Sequence, residues 1–354
     1  MGSASHKLSE MIRAGARWRP GPDVIDRTRE ACLGIRELPR QFVFNADLDG
    51  VLSAHLLDGS LGWTAVGASA CSGVQGDCLW LAAGPLGTEV VFVDLWVAPP
   101  EYAVIDQHIV AVDRAHADRL RGQRSKINPN LLWVRTAETD LADQEWHYKW
   151  KYPFGVVHFL IAALESIGES VRIPDAQLHG SASVIDLVLR ADDAARSTAG
   201  RYRSNALGWW DYLCSVGGAT TRVLAERACF ATEAEAMRRQ ADVERWIGTC
   251  GHRHAIRSIG GDAGLSKHLS TVGWSGGVDD AIETIGIACG FSRLAPHDRW
   301  IARSLRGERS DSSKPRVMLE ALARPDLFSY AVTARFGHKA SSGFSCSYRK
   351  QAGT

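Results

Sequence analysis

Short, nearly continuous apolar runs alternate along the N-terminal half of the chain with longer segments of helical periodicity. Phe42-Val43-Phe44 reads as a strand, and Val51–Leu57 reads as a helix joined to it by a tight acidic loop. Trp63–Ala70 predicts a second strand. Glu89–Asp94 has the unbroken apolar character of a strand buried on both faces, and Tyr102–His108 follows the same pattern. An apolar helix is predicted from Pro153 through Glu165, a helix carrying acid at its end over Ile185–Asp193, and another helix over Val278–Phe291. Thr220–Trp246, rich in Ala, Glu and Arg and free of Gly and Pro, reads as one long amphipathic helix. Alternation in Leu327–Arg335 and Phe344–Tyr348 predicts paired strands flanking a Gly-His-Lys turn. A helical, Arg-rich lead-in over residues 7–40 is interrupted by Pro20 and Pro22 and ends at Pro39.

Composition narrows the class without naming it. A chain of 354 residues is too long for one ordinary domain, so two are expected. Lys plus Arg number 41 against 40 Asp plus Glu, so no global field recruits nucleic acid and any polyanion must meet a local patch. Eight cysteines without a C-x-x-C pair indicate reduced thiols in a cytoplasmic protein, not a disulfide framework or a zinc ribbon. No apolar run approaches the ~20 residues of a membrane span, and Met1–Arg19 lacks the apolar core of a secretory signal. Twelve tryptophans read as core residues ahead of base-stacking surfaces.

The candidate chemistry lies where the apolar runs end. Asp47 and Asp49, after the first strand, are either turn chemistry with Gly50 or an anionic pair that needs a cation. Asp94 and Asp106 end two further strands, and Gln107 and His108 follow the second of these. Acids at three strand ends favour convergence at the carboxyl edge of an open α/β sheet, where carboxylates with an imidazole suit a divalent cation. Asp192 and Asp193 are further candidates that alone would read as an exposed helix terminus. Other features are more simply structural. Lys151 and the helix start after Pro153 could hold an anion, but the plainer reading is a loop with a proline opening the helix. His158 reads as a core histidine, Trp146, His147 and Trp150 as lid or packing residues, and Gly251–His254 as a loop. A Rossmann-like sugar or redox enzyme is disfavoured by the absence of G-x-G-x-x-G after the first strand.

The motif D-x-D-G-x-x-S-A at Asp47–Ala54, the strand-end Asp94 and I-D-Q-H at Ile105–His108 resemble the first three motifs of the DHH phosphoesterase family. Asp192 is similar in placement to the fourth. Phe336–Phe344 resembles the G-G-H-x-x-A-x-G-F signature of the family's second, DHHA1-type domain. The resemblance implies an N-terminal parallel-sheet α/β domain with helices on both faces and a smaller C-terminal α+β domain. It divides the chain into a lead-in (1–40), a DHH-like domain (41–200), a helical connector (201–250) and a substrate-binding domain (251–354). It implies metal ligands at Asp47, Asp49, Asp94, Asp106 and Asp192, with Asp94 bridging, and catalytic roles for His108 and Asp106. Gly337 and Gly343 would let backbone approach a substrate to which Arg335, His338 and Lys339 donate. The implied activity is hydrolysis of a nucleotide or short oligonucleotide phosphoester with one or two Mn2+ or Mg2+ ions. Another phosphorylated small molecule fits equally, no membrane is involved, and a homodimer is left open. Near-zero net charge favours a small substrate over long nucleic acid. Asn45 and Gln107 stand where the family commonly carries metal-binding histidines. That departure implies looser metal binding or one lost site, and it keeps alive a weakened, non-catalytic nucleotide- or phosphate-binding sensor or subunit.

Overall fold

The computed structural model describes residues 2–70, 78–82, 86–132, 150–249, 276–291, 294, 300–310, 315–334 and 342–349. Its strands are β1 Gln41–Asn45, β2 Thr64–Ala70, β3 Cys78–Leu81, β4 Val91–Val93, β5 Ala103–Ile105, β6 Lys126–Ile127, β7 Gln177–His179, β8 Ala182–Ser183, β9 Ile301–Ser310, β10 Leu327–Ala334 and β11 Ser342–Arg349. The helices are α1 Gly2–Gly15, α2 Pro22–Gly34, α3 Leu48–Leu61, α4 Arg114–Arg121, α5 Pro129–Leu132, α6 Val156–Ser166 and α7 Val184–Arg190. They continue as α8 Ala194–Ala199, α9 Arg203–Val216, α10 Ala219–Cys229, α11 Glu233–Thr249, α12 Gly276–Ala288 and α13 Pro315–Leu322.

Nine strands form one mixed sheet in the order β10-β11-β9-β3-β2-β1-β4-β5-β6. From β2 to β6 all pairings are parallel, and from β3 outward they are antiparallel. The C-terminal strands, expected in a smaller unit of their own, are hydrogen-bonded onto this sheet where β9 pairs with β3. The sheet then curls back. Val97, after β4, bridges Ser329, and Ile109, after β5, bridges Val332, so β10 runs beneath the loops that leave the parallel strands.

Period-two alternation builds a core on each face. Phe42, Phe44, Val91, Val93 and Ile105 point into the core lined by α3 and α6, whereas Val43, Phe92 and Val104 point to the other. The second face is covered by Ala117 and Leu120 of α4, by Met318 of α13, and by Phe328, Tyr330 and Val332 of the curled strand β10. Burial of a Phe or Val from such a strand contributes roughly 1.5–3 kcal/mol, so a central strand with no polar face is strongly held.

The predicted single helix over Thr220–Trp246 is two helices, broken at Phe230–Thr232. The cause is a capping box: the Glu235 carboxylate accepts the Thr232 N–H at 2.9 Å, and Glu235 N–H donates to Thr232 Oγ1 at 3.3 Å. Among the described residues no helix is long and apolar enough to cross a membrane, and the described cysteines are free thiols.

Candidate metal centre

Strand order puts a topological switch at β1, which has β2 on one side and β4 on the other. Open α/β sheets form their ligand crevice at such a point, beyond the carboxyl ends of the strands. Asn45 closes β1, Asp94 follows β4 and Asp106 follows β5. Each strand exit is pinned by a further ladder bond: Ala46 N–H to Ser69 O at 2.8 Å, Asp94 N–H to Ile105 O at 2.9 Å, and Asp106 N–H to Ile127 O at 3.0 Å. The site is also where the backbone is strained. Asp94, Asp192 and Asp193, with φ of 57°, 47° and 52°, are the non-glycine residues with left-handed φ among those described. Such a conformation costs of order 1–3 kcal/mol and persists only where the surroundings impose it, which is commonly at functional sites.

Hydrogen bonds join the acids into one network. Asp47 caps α3, its Oδ1 accepting the Gly50 N–H at 2.9 Å, while Asn45 Nδ2 donates to Asp47 Oδ2 at 2.8 Å and to Asp94 Oδ2 at 3.3 Å. A Cβ at position 50 would overlap the Asn45 carbonyl, so the loop requires glycine there. His108 Nδ1 donates to Asp106 Oδ1 at 2.7 Å, and the His108 N–H to Asp106 Oδ2 at 3.0 Å. Gln107 Nε2 donates to Asp192 Oδ2 at 2.8 Å. Arg190 pairs with Asp193 beside it.

Asp49 is held differently. Its carboxylate accepts the N–H groups of Val156 at 2.6 Å and Val157 at 2.8 Å, the exposed donors at the start of α6. The plainer reading has a proline opening this helix; the cap is Gly155 instead, and the anion at the helix start is the chain's own Asp49. Gly155 is required there, because a Cβ would lie 2.5 Å from Asp49 Oδ1. Lys151, the other group of that less favoured anion reading, contributes a charge that lowers the Asp192 pKa.

Crowding the acids has electrostatic consequences. Burial, reinforced by the neighbouring carboxylates, pushes Asp94 and Asp49 well above the usual carboxylate range. Asp192 is raised to about 6 by burial and then by Asp47. Burial alone would lower His108, but the charge and hydrogen bond of Asp106, with Asp192 and Asp47 behind, more than offset it and raise the ring to about 9. With no cation, Asp49 and Asp94 are pushed towards their protonated forms. The residues fit a cation in place of those protons: Asp94, Asp106 and His108 each offer a ligand atom within 4.8 Å of the others. Asp94 is 2% exposed, and its Oδ1 is buried with no hydrogen-bond partner. His108 Nδ1 faces it at 3.9 Å, beyond hydrogen-bond reach, and a buried carboxylate oxygen without a hydrogen bond is costly unless something positive meets it closely.

Asn45, Asp47, Asp49, Asp94, Asp106, Gln107, His108 and Asp192 are therefore assembled around one centre, although Asp49 is turned towards α6. Arg335, Gly337, His338 and Lys339 lie outside the described residues, as do Trp146, His147 and Gly251–His254. Gly343 lies in β11, where its backbone pairs with Thr333. Two residues outside the sequence motifs belong to the site. Asn128 Nδ2 donates to Asp106 Oδ2 at 3.2 Å and to His108 O at 2.9 Å, and Asn130 Nδ2 donates to Gln107 O at 2.7 Å. Their signal was the one that marked the acids, since N-P-N directly follows strand β6.

The fold and site define a mixed α/β protein with a buried Asp-Asp-His centre at the carboxyl edge of its parallel strands. No protein-family model matches the chain, no curated protein matches it, and no solved structure matches it.

Proposed function

We propose that the protein is a metal-dependent phosphoesterase of DHH type, acting on a phosphodiester or phosphomonoester of a nucleotide or short oligonucleotide. The observation that carries this reading is the convergence of strand-end acids and His108 around a buried Asp94 Oδ1 that has no hydrogen bond. Asp94, Asp106 and His108 would hold Mn2+ or Mg2+, with Asp47 and Asp192 beside them. The bound ion supplies Lewis-acid polarisation of a phosphoryl group and a more acidic water.

The chain's own groups do the rest. In the metal-free protein Asp106 orients the His108 ring through Nδ1, which also lies 3.9 Å from Asp94 Oδ1; with an ion at that nitrogen, Nε2 would keep its proton and donate to a phosphate or leaving-group oxygen, and the 36% exposure of that side chain gives it access. Asn128 holds both Asp106 and the His108 carbonyl, so the pair moves as one unit. Asp49, locked to α6, fixes the first turn of α3 under the site. Strand β10 ends at Ala334, two residues past the Val332 bridge to Ile109, and Arg335 comes next in the chain. Arg335, His338 and Lys339, with Gly337 and Gly343, are assigned as the substrate clamp on this basis. In this reading residues 41–200 are the DHH-like part and 251–354 the substrate-binding part, fused through one sheet.

The test is Mn2+-dependent hydrolysis of a panel of short oligonucleotides, cyclic dinucleotides and nucleotide monoesters. The amide–carboxylate bonds of Asn45 and Gln107 favour a second reading, a nucleotide-binding sensor. Tight nucleotide binding with no hydrolysis anywhere in the panel would establish that reading instead.

A further inference from the structure

Taken oxygen by oxygen, the acidic cluster is almost fully supplied with donors from the protein. Both oxygens of Asp49 accept backbone N–H groups of α6. Asp47 Oδ1 accepts the Gly50 N–H and Oδ2 accepts Asn45 Nδ2, whose other N–H reaches Asp94 Oδ2. Asp192 Oδ2 accepts Gln107 Nε2. Asp106 Oδ1 accepts His108 Nδ1, and Oδ2 accepts the His108 N–H and Asn128 Nδ2. The oxygen of this cluster that is buried and left without a donor is Asp94 Oδ1.

We infer that the centre holds a single divalent cation, at Asp94, Asp106 and His108, and that the side-chain amides of Asn45 and Gln107 stand where a second ion would otherwise be needed. The inference rests on the metal-centre reading above. Its physical basis is the sign of what each carboxylate faces. A cation needs lone pairs, whereas the Asn45 NH2 group presents N–H dipoles to Asp47 and Asp94 together, and Gln107 presents one to Asp192. Each amide does for its carboxylates what a cation does, supplying positive potential to a buried anion. Ser69 Oγ lies 3.5 Å from Asn45 Oδ1, which suits the orientation with the N–H groups towards the acids. An ion seated between Asp47 and Asp94 would meet those hydrogens at close range and would have to displace them. At Asp94 Oδ1 the hydrogen in the way is the one on His108 Nδ1, which an imidazole can release and an amide cannot, and the Asp106 and His108 ligand atoms lie within 4.8 Å of that oxygen.

The test uses the full chain, stripped with chelator and titrated with Mn2+, and reads bound metal per chain by equilibrium dialysis and the electron paramagnetic resonance spectrum at saturation. About one Mn2+ per chain, with the hyperfine-resolved signal of an isolated ion, is expected. The Asn45→His/Gln107→His variant is expected to take up about two and to show the spectrum of an exchange-coupled pair. Asn45→Asp, which exchanges only an NH2 for an oxygen, makes the same test if the double variant does not fold. Two coupled ions in the unaltered protein would overturn the inference while leaving the metal centre standing. No bound Mn2+ would overturn the metal centre itself, and the inference with it. Folded variants that still bind one ion would overturn the role given to the amides.

Discussion

Asp94 carries a left-handed φ, near-complete burial and a carboxylate oxygen with no donor, all in one side chain. Replacing Asp94 by Asn removes the charge but keeps the shape. The metal-free protein is therefore expected to gain roughly 1–3 kcal/mol of stability, read as a higher melting temperature. Mn2+ affinity should fall at least about a hundredfold, since outer-shell changes alone cost 10–100-fold. Calorimetric titration and thermal melts check both halves, and an Asp94→Asn protein that melts lower and still binds Mn2+ tightly would sink the assignment. Asn128→Ala should weaken Mn2+ by about 10–100-fold with the far-ultraviolet circular dichroism unchanged. These two residues also mark how far the sequence could be read. Asp94 was legible because it ends an apolar run, a purely local signal. Asn128 also follows a strand, but its role was not legible, because its partners Asp106 and His108 lie some twenty residues upstream and a neutral amide does not by itself point to a cation.

At the scale of elements, the start of α6 clamps Asp49, and Gly155 makes room for it. Gly155→Ala should destabilise the fold by about 1–3 kcal/mol through overpacking against that carboxylate. It should also weaken Mn2+ binding, whereas Thr232→Ala, which removes the cap of α11, should cost about 1 kcal/mol and leave metal binding untouched. Chemical denaturation and metal titration of the pair separate a fault at the site from a fault in the scaffold. The break that Thr232 makes is written in the sequence as Thr-x-x-Glu, and the lack of Gly and Pro in the segment masks it. The clamp on Asp49 was not readable, since nothing local to Asp49 announces a helix start a hundred residues away. The pairing of β9 with β3 was hidden for the same reason, because strand partners depend on tertiary packing and not on either strand's own pattern.

Over the whole molecule, protons and cations compete for the same buried groups. Burial lowers His158 and His116 to about 4, so the fold keeps both neutral where an unfolded chain, with its ordinary value of 6.5, would protonate them. Their stabilisation is complete above about pH 6.5 and is lost as pH falls towards 4, by up to about 3 kcal/mol each. Asp192 has the opposite sign. Its folded pKa, about 6 against 3.8, gives a contribution present below 3.8 and lost as pH rises through about 6. Added Mn2+ should therefore raise the melting temperature strongly at pH 8 and little at pH 5, which a fluorimetric melt series will read directly. A shift of equal size at both values would place the ion away from the acids. The curled sheet has one more consequence, for the order in which the protein is made. The loops carrying Asp94 and His108 receive hydrogen bonds from β10: Tyr330 N–H donates to Trp96 O and Val332 N–H to Ile109 O, across more than two hundred residues of chain. On the ribosome those loops emerge more than two hundred residues before the strand that braces them. The nascent chain must therefore carry an unfinished, anion-rich pocket until β10 has been made, a period in which a chaperone or a captured cation has the most to protect.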